Sequence, residues 1–174
     1  MHTEYKEEAG GFLFFVDFYM IDKDFITTIV TGFLSDPSYF LVDVKVNPGN
    51  AITVEIDSDN GVGIDDCTQL SKYIESQLNR EEEDFELEVG SAGITSPFKI
   101  ARQYTKNIGN EVEVLTKSGQ KMSGILKDNN EEEFTLTITK LIKPEGAKRK
   151  IAVEEDISFS YNDVKYTKYL IRFK

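Results

Sequence analysis

The chain of 174 residues has no tryptophan, one cysteine and one histidine, and it lacks any excess of positive charge. Each scarcity removes a class of function. Cys67 alone can build neither a disulfide framework nor a thiolate cage for zinc. His2, alone and at a terminus, leaves no material for a histidine-based triad or a multi-histidine metal centre. The apolar stretch Gly10–Met20 is broken by Asp17 and is well short of the ~20 residues that span a bilayer. Ahead of it, Glu4, Glu7 and Glu8 outweigh Lys6, the reverse of a signal peptide. The expectation is a non-enzymatic protein of the reducing cytoplasm, with no catalytic set, cofactor, metal or membrane association.

What is plentiful is acid, and it is unevenly placed. The net charge is −11, and residues 1–99 hold 6 Lys and Arg against 20 Asp and Glu, a net of −14, whereas residues 100–174 hold 14 against 11, a net of +3. Bare nucleic acid is bound by cations that replace phosphate counterions, so the first half is unsuited to it. An acidic half either keeps the domain soluble or steers a basic protein toward itself, and the second half retains cations for phosphate.

Periodicity divides the chain in the same place. Residues 1–19 have no consistent period and read as an extension, a candidate for disorder, with Met20 a candidate initiator. From Asp24, Phe25, Ile26, Ile29, Val30, Phe33 and Leu34 recur at helical spacing until Asp36-Pro37. Alternation through Phe40, Val42, Val44 and Val46, the turn Asn47–Asn50, and Ile52, Val54 and Ile56 predict a hairpin. Ile64, Cys67, Leu70, Ile74 and Leu78 mark a second helix with Asp65 and Asp66 at its start, and Phe85, Leu87 and Val89 a third strand. This order predicts an α/β sandwich, two helices on one face of a three-stranded sheet, over residues 20–99. After a connection at 100–109, five strands are expected within 110–174: Glu111–Thr116, Lys121–Lys127, Phe134–Thr139, Lys150–Glu154 and Val164–Phe173. Short, closely spaced strands of this kind predict a small β-barrel, with Gly124 permitting a bend in its second strand. The fold class is therefore α+β.

Two acid groups, Asp57/Asp59 and Asp65/Asp66, supply oxygens that suit a hard cation, and Asp57, Asp59 and Asp65 are the only basis for a carboxylate hydrolase. Their spacing matches no calcium loop, and helix capping accounts for acids at such positions. Gly61-Val62-Gly63 lacks the ending of a phosphate loop. The basic run Lys148-Arg149-Lys150 serves either solubility or contact with RNA.

Between the two halves, Gly90–Phe98 reads Gly-Ser-Ala-Gly-Ile-Thr-Ser-Pro-Phe. Gly90 and Gly93 are expected to free the backbone for a sharp turn, and Pro97 to open a short helix over Phe98–Tyr104. The segment resembles the junction of the ribosome maturation factor RimP family, Ser-Ser-Pro-Gly-Leu-Asp-Arg-Pro-Leu: Ser91, Gly93 and Pro97 match, Ile94 and Phe98 are apolar equivalents, and Ala92, Thr95 and Ser96 depart. Thr95 and Ser96 replace an Asp-Arg pair, so no role of that charge pair carries over. Val112, Val114, Leu115, the turn Ser118-Gly119, and Gly124, Ile125 and Leu126 resemble the same family's C-terminal domain.

The resemblance implies a KH-like N-terminal domain and a C-terminal Sm-like or SH3-like barrel. It also implies a factor for late maturation of the small (30S) ribosomal subunit, binding the immature subunit, a basic small-subunit protein and ribosomal RNA as a monomer. The alternative is an Sm-like RNA-binding chaperone with no ribosomal role. Candidate partner contacts are Glu81, Glu82 and Glu83 in the acidic loop, Ser91, Gly93 and Ile94 in the junction, and Lys148, Arg149 and Lys150 in the basic loop.

Overall fold

The computed structural model describes the backbone of residues 4–7 and 13–16, and residues 20–146 and 148–172 in full. Strands β1 (Glu4–Glu7) and β2 (Leu13–Val16) pair antiparallel within the segment expected as an extension; the remainder of that segment, His2 included, lies outside the described residues. The chain separates into two compact units, Met1–Ala92 and Gly93–Lys174.

In the first unit, Asp22 caps helix α1 (Lys23–Phe33) by accepting the Asp24 and Phe25 amides at 2.6 and 3.3 Å. This satisfies donors that a helix start otherwise leaves unpaired. Strands β3 (Tyr39–Asn47) and β4 (Ala51–Ser58) form the expected hairpin. Its turn has Gly49 and Asn50 at φ 81° and 55°, a region open to glycine and tolerated by asparagine.

Helix α2 (Ile64–Gln77) then returns the chain to β5 (Glu86–Ser91), which lies parallel to β4. The sheet order is β3-β4-β5. Ile26 and Val30 of α1, Leu70 and Ile74 of α2, and Val44, Ile52, Val54 and Ile56 of the sheet share one core with Ile21 and Phe85. Two expectations are corrected here. A bulge between Leu41 and Asp43 interrupts the alternation, so Leu41 joins this core whereas Phe40 and Val42, although buried, do not. Ile64, read as the start of the α2 stripe, is 86% exposed because it occupies the first residue of the helix, ahead of the turn that meets the sheet.

The second unit contains α3 (Ala101–Lys106), β6 (Glu111–Thr116), β7 (Lys121–Asn129), β8 (Glu133–Ile142), β9 (Ile151–Ser160) and β10 (Val164–Tyr169). The strand order is β10-β6-β7-β8-β9, antiparallel throughout. The barrel expected from the strand spacing is not closed: among the described residues no ladder joins β9 to β10. One 3₁₀ turn, Tyr161–Asp163, delivers β10 to the free edge of β6, and β9 pairs only with β8. Gly124 is required by proximity: a Cβ there would lie 2.6 Å from the Thr137 carbonyl oxygen of β8.

Residues 100–109, read as a connection, hold α3. Tyr104 is buried among Val112, Val114, Leu126, Leu136 and Phe134, its ring centroid 4.8 Å from that of Phe134 and 5.0 Å from that of Phe98. The helix begins at Ala101, later than Pro97 suggested, because Gln103 provides its cap: Gln103 Oε1 accepts the Lys99 and Ile100 amides at 2.7 and 3.3 Å.

Candidate functional site

The acidic loop of the first unit is shaped by its two leading residues. Asn79 receives three amides: its side-chain oxygen accepts that of Glu81 at 3.1 Å, and its carbonyl accepts those of Glu82 and Glu83 at 3.1 and 3.0 Å. Arg80 donates to the Phe85 carbonyl at 3.0 Å, lies 4.1 Å over the Phe85 ring, and pairs with Glu75 and Asp84. Arg80 is thus committed to holding the loop against the core. Glu81 and Glu82 are exposed and Glu83 is half-buried.

Beside this loop is an open depression of about 320 Å³. Met20, Phe25, Leu78 and Phe85 supply its apolar lining, and Glu82 and Glu83 line it as well. Met20 and Phe25 are 53% and 49% exposed. An apolar surface with carboxylates beside it can receive an apolar side chain that carries a positive neighbour.

The junction residues are elsewhere. Gly90 lies inside β5 opposite Glu55 with φ outside the left-handed region, so the sharp turn expected there is absent. Ser91 ends the strand, and the turn follows it, closed by the Ser96 amide on the Gly93 carbonyl at 2.8 Å. A Cβ at Gly93 would meet Ser96 Oγ at 2.6 Å. Ile94 is 68% exposed. Because β5 is extended at ~3.3 Å per residue, Ser91 lies about 17 Å from the strand end that adjoins the acidic loop. The acidic and junction candidates therefore do not converge.

Lys148, Arg149 and Lys150 lie on the second unit, in the connection between β8 and β9, and all three are exposed. The acids once considered for a cation are dispersed in role. Asp57 is buried and accepts the Ser58 amide at 2.8 Å, Asp66 caps α2 by accepting the Gly63 amide at 2.7 Å, and Asp59 and Asp65 are exposed. Among the described residues no three His, Cys, Asp or Glu side chains are grouped as metal ligands. Burial, reinforced by the charge of Asp66, pushes the Cys67 thiol up, away from the nucleophilic thiolate. No helix among the described residues is long and apolar enough to cross a membrane.

Sequence reasoning missed Asn79, Arg80 and the apolar depression. The Asn-Arg pair directly after the α2 stripe was a signal for a loop with its own fastening, but the arginine's partners follow from the fold.

Residues 29–95 match the family model described as the RimP N-terminal domain. A protein of Porphyromonas gingivalis named ribosome maturation factor RimP is 46% identical over 146 residues, covering 84% of this chain and 96% of the relative. The protein of that name from Christiangramia forsetii is 37% identical over 141 residues, 81% of this chain and 92% of its own. With identity of this degree along nearly the whole length of these relatives, the chain belongs to the ribosome maturation factor RimP family.

Proposed function

We propose that this chain is a non-enzymatic, cytoplasmic factor that promotes late maturation of the small (30S) ribosomal subunit. It acts as a monomer on the immature subunit, holding a basic small-subunit protein through the first unit and ribosomal RNA through the second. The observation that carries this reading is the acidic loop beside the apolar depression. Glu82 and Glu83 line it together with exposed Met20 and Phe25, Glu81 precedes them in the loop, and Arg80 is held on the Phe85 ring and carbonyl. Redrawn at the boundary after Ala92, the charge is more sharply divided: 5 cations against 20 acids in the first unit, a net of −15, and 15 against 11 in the second, a net of +4. The name shared by the relatives supports the ribosomal assignment. In the second unit, the strand order and the 3₁₀ turn between the edge strands support the Sm-like reading, and the helices on a three-stranded sheet support the KH-like one.

The test is co-sedimentation with immature small subunits, mature small subunits and complete ribosomes over a salt series. Binding to the immature subunit is expected to be preferred and to weaken as salt rises, since the screening length is about 8 Å at physiological ionic strength. Simultaneous Glu81→Lys, Glu82→Lys and Glu83→Lys substitution is expected to abolish the preference. Unchanged binding by that variant would exclude the acidic loop as the contact. The rival, an Sm-like RNA chaperone with no ribosomal role, rests on Lys148, Arg149 and Lys150 and predicts equal binding to short RNA and to subunits.

A further inference from the structure

We infer that the distal part of the β8–β9 hairpin is an RNA-contacting finger, whose basic tip engages phosphates and whose aliphatic face rests on riboses and unstacked bases of an unpaired RNA segment. The inference rests on the ribosomal reading above only for which RNA is met.

The core of the second unit ends at Ile138 on β8. The ladder continues past it through Thr139↔Glu154, Lys140↔Val153, Leu141↔Ala152 and Ile142↔Ile151, and every one of these residues is exposed. At ~3.4 Å per residue the arm extends about 14 Å beyond the core. Strand alternation places Val153, Ile142 and Ile151 on the face that carries buried Ile138 nearer the sheet, and these three are 37%, 46% and 49% exposed. A two-stranded ribbon with an uncovered aliphatic face is marginal in water by itself, so the surface calls for a partner.

Charge selects that partner. Two of the three acids at the base of the arm are matched internally, Glu155 by Lys140 and Asp156 by Lys127, and the third, Glu154, lies opposite Thr139. Past the last ladder pair, Ile142↔Ile151, Lys143, Lys148, Arg149 and Lys150 surround the tip with Glu145 as the single described acid, and none of the four cations has an ion-pair partner among the described residues. A concentrated positive tip on a chain of net charge −11 is suited to a polyanion. The aliphatic flank adds what a duplex backbone cannot use and an unpaired segment can, since unstacked bases offer apolar faces.

The experiment uses the full chain and two labelled RNAs, a hairpin with a ten-nucleotide loop and a fully paired duplex of equal length, titrated between low and physiological salt. The wild type is expected to prefer the looped RNA. Replacing Lys143, Lys148, Arg149 and Lys150 by Gln should make the slope of log affinity against log salt shallower by about 3, from four phosphate contacts at ~0.7 each on a single strand. Ile142→Thr with Ile151→Thr retains β-branched residues on an exposed ribbon, and should weaken the looped RNA five- to tenfold with the salt slope unchanged. Absence of binding by the wild type, or indifference to both sets of substitutions, overturns the inference. So does equal binding to a polyglutamate peptide, which would make an acidic protein the occupant. Co-sedimentation separates this from the broader proposal. Arm variants that join immature subunits like the wild type overturn the finger alone, whereas a wild type that ignores immature subunits overturns the ribosomal reading.

Discussion

The side-chain oxygen of Asn50 accepts the Ile21 amide at 2.9 Å, joining the first described core residue to a hairpin turn 29 positions away. The same carboxamide donates to the Asp84 carbonyl at 3.1 Å, and the Asn50 carbonyl accepts the Glu86 amide at 3.1 Å. One buried asparagine thus anchors the entry to α1, the β3–β4 turn and the exit from the acidic loop. Asn50→Gly preserves the positive φ and deletes only the carboxamide. It is expected to cost about 1–3 kcal/mol, because a buried amide and a carbonyl lose their partner. Denaturant unfolding measures this, and a loss below about 0.5 kcal/mol would show that water replaces the side chain.

Two glycine substitutions should act in opposite directions. Gly124→Ala places a methyl 2.6 Å from the Thr137 carbonyl oxygen and 2.9 Å from Ile138 Cγ2, so β7 and β8 must separate, at about 1–3 kcal/mol. Gly32→Ala lies in α1 with open space around the added methyl, and helix propensity predicts a gain of about 0.5–1 kcal/mol. The two thermal midpoints, compared with the wild type, check both signs.

The second unit should lose stability in acid through Glu113. Its carboxylate is bound by Lys121 at 2.9 Å, by the Tyr166 hydroxyl at 2.9 Å and by Lys168 at 3.5 Å. These contacts, led by the Lys121 hydrogen bond, hold its pKa below the ordinary value of 4.5. A carboxylate depressed in the folded state contributes stability above the unfolded pKa, and that contribution is lost as pH falls through the folded value. Stability is therefore expected to decline below about pH 4.5, and Glu113→Gln should flatten part of that decline while costing about 1–2 kcal/mol at neutral pH. A variant whose acid profile matches the wild type would assign the loss to other carboxylates.

Thermolysin is expected to cut first before Ile94. Gly93 to Pro97 are exposed, whereas residues 98–107 are tied down by Tyr104, by the Gln103 cap and by Thr105 Oγ1 donating to Asn129 Oδ1 at 3.1 Å. A first cut within 100–109, identified by mass, would restore that segment as the connection.

Removal of residues 1–19 should change stability little, since Ile21 is the first described core residue and Met20 is 53% exposed. Extending the deletion through Ile21 should cost about 2–3 kcal/mol, from the loss of its burial and of its bond to Asn50. If the shorter deletion already costs more than about 2 kcal/mol, side chains ahead of Met20 complete a core.

The mixed α+β class, the element order from Met20 onward and most strand and helix positions there were legible in the sequence, because they depend on local periodicity: the stripe through Ile26 and Val30 and the alternation of Ile52, Val54 and Ile56. The family was legible in Ser91, Gly93 and Pro97 and in the pattern around Gly124. The sequence also revealed the opposed charge of the two halves. Other features depended on contacts between distant residues. Which of Phe40, Leu41 and Val42 faces the helices was decided by a bulge against β4, and whether the short helix expected over Phe98–Tyr104 packs into a core was decided by the Tyr104 contacts with Phe134. The barrel-like spacing of the last five strands could not show whether β9 would meet β10, since closure requires a ladder between edges that no local pattern encodes. The reach of the β8–β9 arm was hidden for the same reason. Ile142 and Ile151 alternate like core residues, and only the tertiary structure shows that the core ends at Ile138 and leaves them in solvent.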